Sequence, residues 1–300
     1  MSEWLALSRG DVDRGATHRN DEEWLARAWA EESTRVLVIE DGRTLVATDD
    51  AGVRLVFVPP GEAPAGERYL LGMADGTTYF AVRGPLPQAA RAGSGAAPHS
   101  LRTVGTLLDD RDAGLMTHAV ALAHWHASHT HCPRCGAPTR VSAAGHVRVC
   151  PDDGSQHFPR VDPAVIMLVH DGEQRCLLAR QPSWPGRRFS VLAGFVEPGE
   201  SLEQAVVREV DEEVGLPVRD ARYEASQPWP FPASLMLGFT ARADAADVER
   251  RDGEIAQARW YTREELCRAT EDGSLLLPGR VSIARLLIER WYGGSLAGEW

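Results

Sequence analysis

The stretch that most constrains this 300-residue chain is a short helix whose two ends are written into the sequence and whose middle is crowded with acid. Ser201-Leu-Glu-Gln204 has the form of a capping box, in which serine and glutamine satisfy the first free amides of a helix. The helical pattern continues from Ala205 to Val214, and Gly215 suits the left-handed residue that ends it. Glu209 and Glu213 are four residues apart and Glu212 is three from Glu209, so the three carboxylates share one face. Like charges so placed repel by about 0.2–0.5 kcal/mol per pair in an isolated helix. Something must offset that repulsion.

A solvated acidic face with Arg208 beside it would be the plain explanation. The preceding segment, Leu192-Ala-Gly-Phe-Val-Glu-Pro-Gly-Glu200, argues for more, because its two glycines and its proline make a tight loop feeding the helix. Such a loop turns backbone carbonyls toward the carboxylates, an all-oxygen arrangement suited to Mg²⁺ or Mn²⁺. The formal net charge of −11 fits this reading. It argues against a general nucleic-acid binder, and an acidic protein that handles phosphates needs a cation between the two.

Gly194, Glu200 and the run Arg208-Glu-Val-Asp-Glu-Glu-Val-Gly-Leu216 together resemble the Nudix box at every position. The resemblance implies an α/β fold, a C-terminal Nudix α/β/α sandwich on a mixed sheet. It implies that Glu209 and Glu213 bind the catalytic metal ions with Glu212 in the same cluster, and that the Ala193 carbonyl is a further ligand. Gly194 and Gly215 then shape the loop and the helix end, while Arg208 and Glu200 pair to orient the helix. The general base is left between Glu213 and a loop acid. Glu254, in Glu249-Arg-Arg-Asp-Gly-Glu254, is the candidate for that acid or for an extra metal ligand; the alternative is an ordinary charged loop.

Specificity has to come from elsewhere, and Ser226-Gln-Pro-Trp-Pro-Phe-Pro-Ala-Ser234 is the place to look. Three prolines stiffen the backbone and hold Trp229 and Phe231 with little entropy left to lose. Rigid aromatics beside Gln227 and Ser234 suit a flat heterocycle that is stacked and then hydrogen-bonded at its edge; the plain alternative is a proline-rich surface loop. The segment is similar to the SQPWPFPxS signature of the NADH pyrophosphatase branch of Nudix enzymes. By that resemblance Gln227, Pro228, Trp229, Pro230, Phe231, Pro232, Ala233 and Ser234 contact substrate, with weaker assignments at Phe158, Arg102 and Ala284. It implies cleavage of NADH or NAD⁺ to nicotinamide mononucleotide and AMP, removal of NAD caps from RNA 5′ ends, and a homodimer. The alternatives are a Nudix pyrophosphatase acting on ADP-ribose or dinucleoside polyphosphates, and a non-catalytic binding protein. The intact glutamates count against the last.

The same branch carries a zinc-ribbon-like knuckle with two CxxC pairs. Here Cys132 and Cys135 are followed by Cys150, but Asp153 stands where the fourth cysteine belongs. Three thiolates with Asp153, or with His157 or His131, give one reading, a structural Zn²⁺; a ribbon that keeps its fold without the ion is the other. The histidines at 118, 124, 126, 129 and 131 read as solvated side chains on a polar helix face, and Cys176 and Cys267 as core packing.

Three hundred residues exceed one ordinary core. The division expected is 1–126, an N-terminal NADH-pyrophosphatase-like α+β domain, 127–160, the ribbon, and 161–300, the Nudix domain. Strands are expected at Thr34–Glu40, Val53–Val58, Ala164–Val169 and Arg175–Ala179, with Asp41-Gly42 a hairpin turn between the first two and Asp171-Gly172 a turn between the last two. Helices are expected at Met116–Ser128 and Val281–Glu289, and a loop at Arg91–Pro98. No apolar run approaches the ~20 residues that span a bilayer, and Met1-Ser2-Glu3-Trp4 lacks the order of a signal peptide, so the cytoplasm is the expected location.

Overall fold

A computed structural model describes residues 5–50, 52–90, 95–172, 174–244, 248 and 253–300. Met1–Trp4, the first half of the loop read at 91–98 and residues 249–252 ahead of Glu254 lie outside the described residues. The chain divides into two compact units: Leu7–Val161 with Pro230–Ala233, and Met1–Ala6 with Asp162–Trp229 and Ser234–Trp300.

The amino-terminal unit opens with helix α1 (Glu22–Ala30), whose N-cap Asp21 accepts a hydrogen bond from the Trp24 amide. Strands β1 (Arg35–Ile39), β2 (Arg43–Asp49), β3 (Gly52–Leu55), β4 (Arg68–Ala74), β5 (Thr77–Arg83) and β6 (Ala97–Ser100) follow. They form two three-stranded sheets, ordered β1-β5-β4 and β3-β2-β6, around a core that includes Val36, Val38, Leu45, Leu70 and Phe80. Helices α2 (Leu101–Val104) and α3 (Asp110–Ser128) complete it. The turn at Asp41-Gly42 is present, with φ of 48° and 72°, but it leads into β2, which the sequence reading lacked. The strand read at Val53–Val58 ends at Leu55, and β1 pairs in parallel with β5. A period of two marks a strand without naming its partner, so this long-range pairing could not be read locally.

Helix α3 corrects a second expectation. It buries ten residues, among them His126, which is 1% exposed; its Nε2 meets the Gly145 carbonyl at 2.8 Å and its ring stacks on Tyr69. His118 and His124 are half-buried and face the carbonyls of Leu71 and Pro230. Burial holds His118 and His126 neutral, and residues near the helix end, such as exposed His131, match the solvated reading.

The ribbon continues the same unit with β7 (Arg140–Ser142), β8 (Val147–Val149) and β9 (Gln156–His157) in one antiparallel sheet. Arg148 of β8, 5% exposed, donates to Thr139 Oγ1 and O and meets His126 Nδ1 at 2.8 Å.

The carboxy-terminal unit is a six-stranded mixed sheet between helices. Its strands are β10 (Asp162–His170), β11 (Arg175–Arg180), β12 (Leu192–Phe195), β13 (Val218–Trp229), β14 (Ser234–Ala243) and β15 (Gln257–Thr262). The order is β13-β14-β10-β11-β15 with β12 also on β10, and β10 runs parallel to β14 but antiparallel to β11 and β12. Alternate residues of β10 feed two cores. Val165, Met167 and Val169 pack with Val206, Val210 and Val214 of helix α4 (Leu202–Val214), while Ile166 and Leu168 pack with Ile283, Leu287 and Ile288 of helix α6 (Ile283–Tyr292). Helix α5 (Arg263–Glu271) adds Leu266 to the second core, and Cys176 lies fully buried there. A strand covered on both faces reads as an unbroken apolar run, which is how 164–169 reads. Among the described residues no helix is long and apolar enough to cross a membrane.

Candidate active site

Helix α4 is held at both ends by local chemistry. Ser201 Oγ accepts from the Gln204 amide at 3.2 Å, Gln204 Oε1 accepts from the Ser201 amide at 2.8 Å, and Gly215 closes the helix at φ 67°. With Val206, Val210 and Val214 turned to the core, the 3.6-residue period sets Glu209 and Glu213 on the flank beside the loop from β12.

The loop and the helix meet without space. A Cβ built on Gly194 would lie 1.9 Å from Glu209 Cδ, so the Glu209 carboxylate rests directly on the glycine backbone. Ala193 precedes it on β12, opposite Ile166 of β10. Arg208 anchors the assembly: its guanidinium donates to Glu200 at 2.6 and 3.1 Å, to Glu209 and Glu212 at 2.9 Å each, and to the Phe195 carbonyl at 2.9 Å. These partners hold its pKa up, Glu200 most of all, and the same pair holds the Glu200 carboxyl down. Glu213 is 4% exposed.

Burial pushes the Glu209 carboxyl up, against the pull of Arg208, and the negative charges of Glu212 and Glu254 add to the rise. The loop acid Glu254 is therefore within electrostatic reach of Glu209. Concentrated carboxylates, one of them buried, on a glycine cradle with no room for a side chain are a donor set that fits a hard divalent cation. An α/β/α sandwich that gathers this set of oxygen donors along a capped helix defines the class of protein.

The aromatic segment departs from a simple loop. Gln227, Pro228 and Trp229 end β13, Pro230–Ala233 forms the turn, and Ser234 starts β14, with Trp229 opposite Ser234. β13 is the edge of its sheet, where a proline is tolerated. Gln227 is fully buried; its Nε2 donates to Val281 O at 3.0 Å and its Oε1 accepts from the Ile283 amide at 2.8 Å. Its carboxamide thus serves the start of α6 in place of an open edge, and Ala284 is 2% exposed in the first turn of that helix. In the amino-terminal unit the Arg102 guanidinium lies 4.0 Å over the Phe231 ring, and Phe158 is 65% exposed.

The ribbon brings Cys132, Cys135, Cys150 and Asp153 together, with ligand atoms all within 4.8 Å of one another. A tetrahedral zinc–thiolate shell has edges of about 3.8 Å, given Zn–S bonds of about 2.3 Å, so the cluster is of the right size. Ser155 Oγ lies beside the cluster, 3.5 Å from Cys132 Sγ and 2.5 Å from Asp153 Oδ1. Sequence reading overlooked Ser155. Its signal was the Asp153-x-Ser155 spacing, in which an aspartate accepts from the backbone two residues on.

Residues 160–278 match the NUDIX domain, 33–125 the NADH pyrophosphatase-like rudimentary NUDIX domain, and 127–158 the NADH pyrophosphatase zinc ribbon domain. The chain is 45% identical over 302 aligned residues to the NAD-capped RNA hydrolase NudC of Mycobacterium bovis (strain BCG / Pasteur 1173P2), covering 95% of this chain and 94% of the relative. It is 40% identical over 196 residues to the human NAD-capped RNA hydrolase NUDT12, covering 61% of this chain and 42% of that one. Among solved structures, a NUDIX hydrolase from Nitrosomonas europaea aligns with a TM-score of 0.44 at 23% identity, over 56% of this chain and 96% of that one. The chain belongs to the NADH pyrophosphatase branch of the Nudix hydrolases.

Proposed function

We propose that this protein hydrolyses the diphosphate bridge of NAD(H), giving nicotinamide mononucleotide and AMP, and cuts the same bond in NAD-capped RNA 5′ ends. The observation that carries the reading is the Glu209 carboxylate seated on Gly194, flanked by Glu212 and Glu213. Names borne by the relatives, NAD-capped RNA hydrolases, supply the substrate class.

Glu209 and Glu213, with the Ala193 carbonyl and Glu254, would hold Mg²⁺ or Mn²⁺. Bound there, such an ion polarises phosphoryl oxygens and lowers the pKa of water. The chain's own part is to place these oxygens and to take up the proton released when water attacks phosphorus, a role for Glu213 or Glu254. Arg208 fixes the helix against the loop, so that the carboxylates approach the substrate in one geometry. Trp229 and Phe231 offer stacking faces, Phe231 backed by Arg102, while Pro228, Pro230, Pro232, Ala233 and Ser234 hold them in place and Phe158 offers a further exposed aromatic face. Gln227 and Ala284 act by setting the start of α6. The ribbon holds one structural Zn²⁺ through its three cysteines, and the working form is a cytoplasmic homodimer.

Glu213→Gln tests the reading. Several kcal/mol of charge stabilisation correspond to roughly three orders of magnitude in rate, so AMP release from NADH with Mn²⁺ should fall about 10³-fold while the melting curve is preserved. Full activity would refute the site. Comparing kcat/KM for NADH, NAD⁺, ADP-ribose and NAD-capped RNA separates this specificity from a broader pyrophosphatase, which would favour ADP-ribose.

A further inference from the structure

The two knuckles of the ribbon have the same backbone and different second ligands. In the first, Cys132 O accepts from the Gly136 amide at 2.9 Å and Gly136 has φ 79°; in the second, Cys150 O accepts from the Gly154 amide at 3.1 Å and Gly154 has φ 70°. Cys135 and Asp153 therefore occupy equivalent places, each three residues after the first cysteine and just before the left-handed glycine.

Asp153 is also aimed. Its Oδ1 accepts from the Ser155 amide at 2.9 Å and from Ser155 Oγ at 2.5 Å, which leaves Oδ2 on the side of the sulfurs, 3.9 Å from Cys132 Sγ. A carboxylate with one oxygen tied down presents the other as a single-point donor. His157, the competing imidazole, is placed differently. Its Nε2 lies 3.2 Å from Ser155 Oγ, and because that hydroxyl gives its proton to Asp153, the ring donates to it and stands behind the serine. His131 Nδ1 is 2.9 Å from Thr130 Oγ1. Neither ring belongs to the cluster whose ligand atoms lie within 4.8 Å of one another.

Resting on the reading that the ribbon binds zinc, we propose that Asp153 Oδ2 is the fourth ligand, positioned by Ser155, so that the ion is held by three thiolates and one exchangeable carboxylate arm. A harder oxygen donor binds zinc less firmly than the thiolate it replaces in such shells. The arm is the point at which the ion enters and leaves. Loss of the ion would loosen the second knuckle next to Arg148, which joins β8 to His126 of α3, so zinc occupancy bears on how the ribbon is seated within its own unit.

The test uses full-length protein loaded with Zn²⁺ or Co²⁺, with release to a chromophoric chelator and cobalt absorption as readouts. Asp153→Cys should slow zinc release at least tenfold and raise the thiolate-to-cobalt charge-transfer intensity in the ratio of four thiolates to three. Ser155→Ala, which removes the hydroxyl's hydrogen bond to Oδ1 and leaves that of the backbone amide, should weaken zinc binding by about 10–100-fold, the usual cost of losing a group that orients a ligand. Asp153→Ala should lose more, and His157→Ala and His131→Ala should keep wild-type release. Zinc lost from His157→Ala or His131→Ala but kept in Asp153→Ala, or unchanged cobalt intensity in Asp153→Cys, would overturn the assignment while leaving a zinc ribbon standing. Wild-type protein that binds neither metal would overturn the zinc reading itself.

Discussion

Helices α3 and α4, the longest among the described residues in their respective units, use polar side chains in opposite ways. On α4 Glu209 and Glu212 share Arg208 with Glu200 of the preceding loop. On α3 three histidines each meet a backbone carbonyl, and ten of its nineteen residues are buried. Burial moves Glu209 on one helix and His118 and His126 on the other toward neutrality, and it does the same for His146 of the ribbon, which meets the Leu70 carbonyl. The neutral imidazole is complete as it stands, with an N–H for an oxygen that needs one. A desolvated carboxylate among carboxylates needs positive charge beside it, and Arg208 supplies one such contact to Glu209. Helix α4 lies in the match to the NUDIX domain, and most of α3 in the match to the rudimentary NUDIX domain.

Substitutions can break that contrast, and beyond Glu213→Gln the largest effect is expected at Gly194→Ala. The new methyl must displace the Glu209 carboxylate, and a shift near 1 Å costs roughly a hundredfold in rate. AMP release should fall by that factor; wild-type turnover would mean the cradle has no role. Arg208→Ala comes next, at about 10–100-fold in metal affinity, read from the Mn²⁺ concentration giving half-maximal activity. On the other helix, His126→Ala leaves the Gly145 carbonyl and Arg148 short of a partner, at a cost of about 1–3 kcal/mol. Melting should shift downward with turnover per folded molecule unchanged. A loss of turnover matching Glu213→Gln would erase the distinction drawn here.

Acid gives the most diagnostic effect. The histidines sit at about 3 for His118 and about 4 for His126 and His146, against 6.5 in an unfolded chain. Between about 4 and 6.5 the unfolded chain takes up protons that the folded one refuses, so stability rises with pH across that window and is lost on acidification. Thermal melts from pH 7 to pH 4 should show a falling midpoint, and the fall should be shallower in His126→Ala. A flat profile would mean that the rings are not buried neutral.

Much of the carboxy-terminal unit was legible. The capping box at Ser201, the stop at Gly215, the strands of 164–179 and the last helix all announce themselves through neighbours within four residues, the range over which helix caps and strand alternation act. What escaped was non-local. Strand β2 and the parallel pairing of β1 with β5 depend on partners far along the chain. Three prolines at 228–232 read as a stiffened segment or as a surface loop, and local pattern could not say that Pro228 joins a strand, which it does at the edge of the sheet.

The sequence by itself determined the carboxylate row, the glycine that must face it, and the ribbon's odd fourth position, because each follows from residue identity and short spacing. Tertiary structure alone decided that Gln227 serves α6, that His126 is buried, and that Ser155 turns Asp153 toward the cysteines in preference to His157. Those outcomes depend on which backbone group or side chain lies opposite across a packed interface. A one-dimensional pattern records what a residue can donate or accept, and only the fold says to whom.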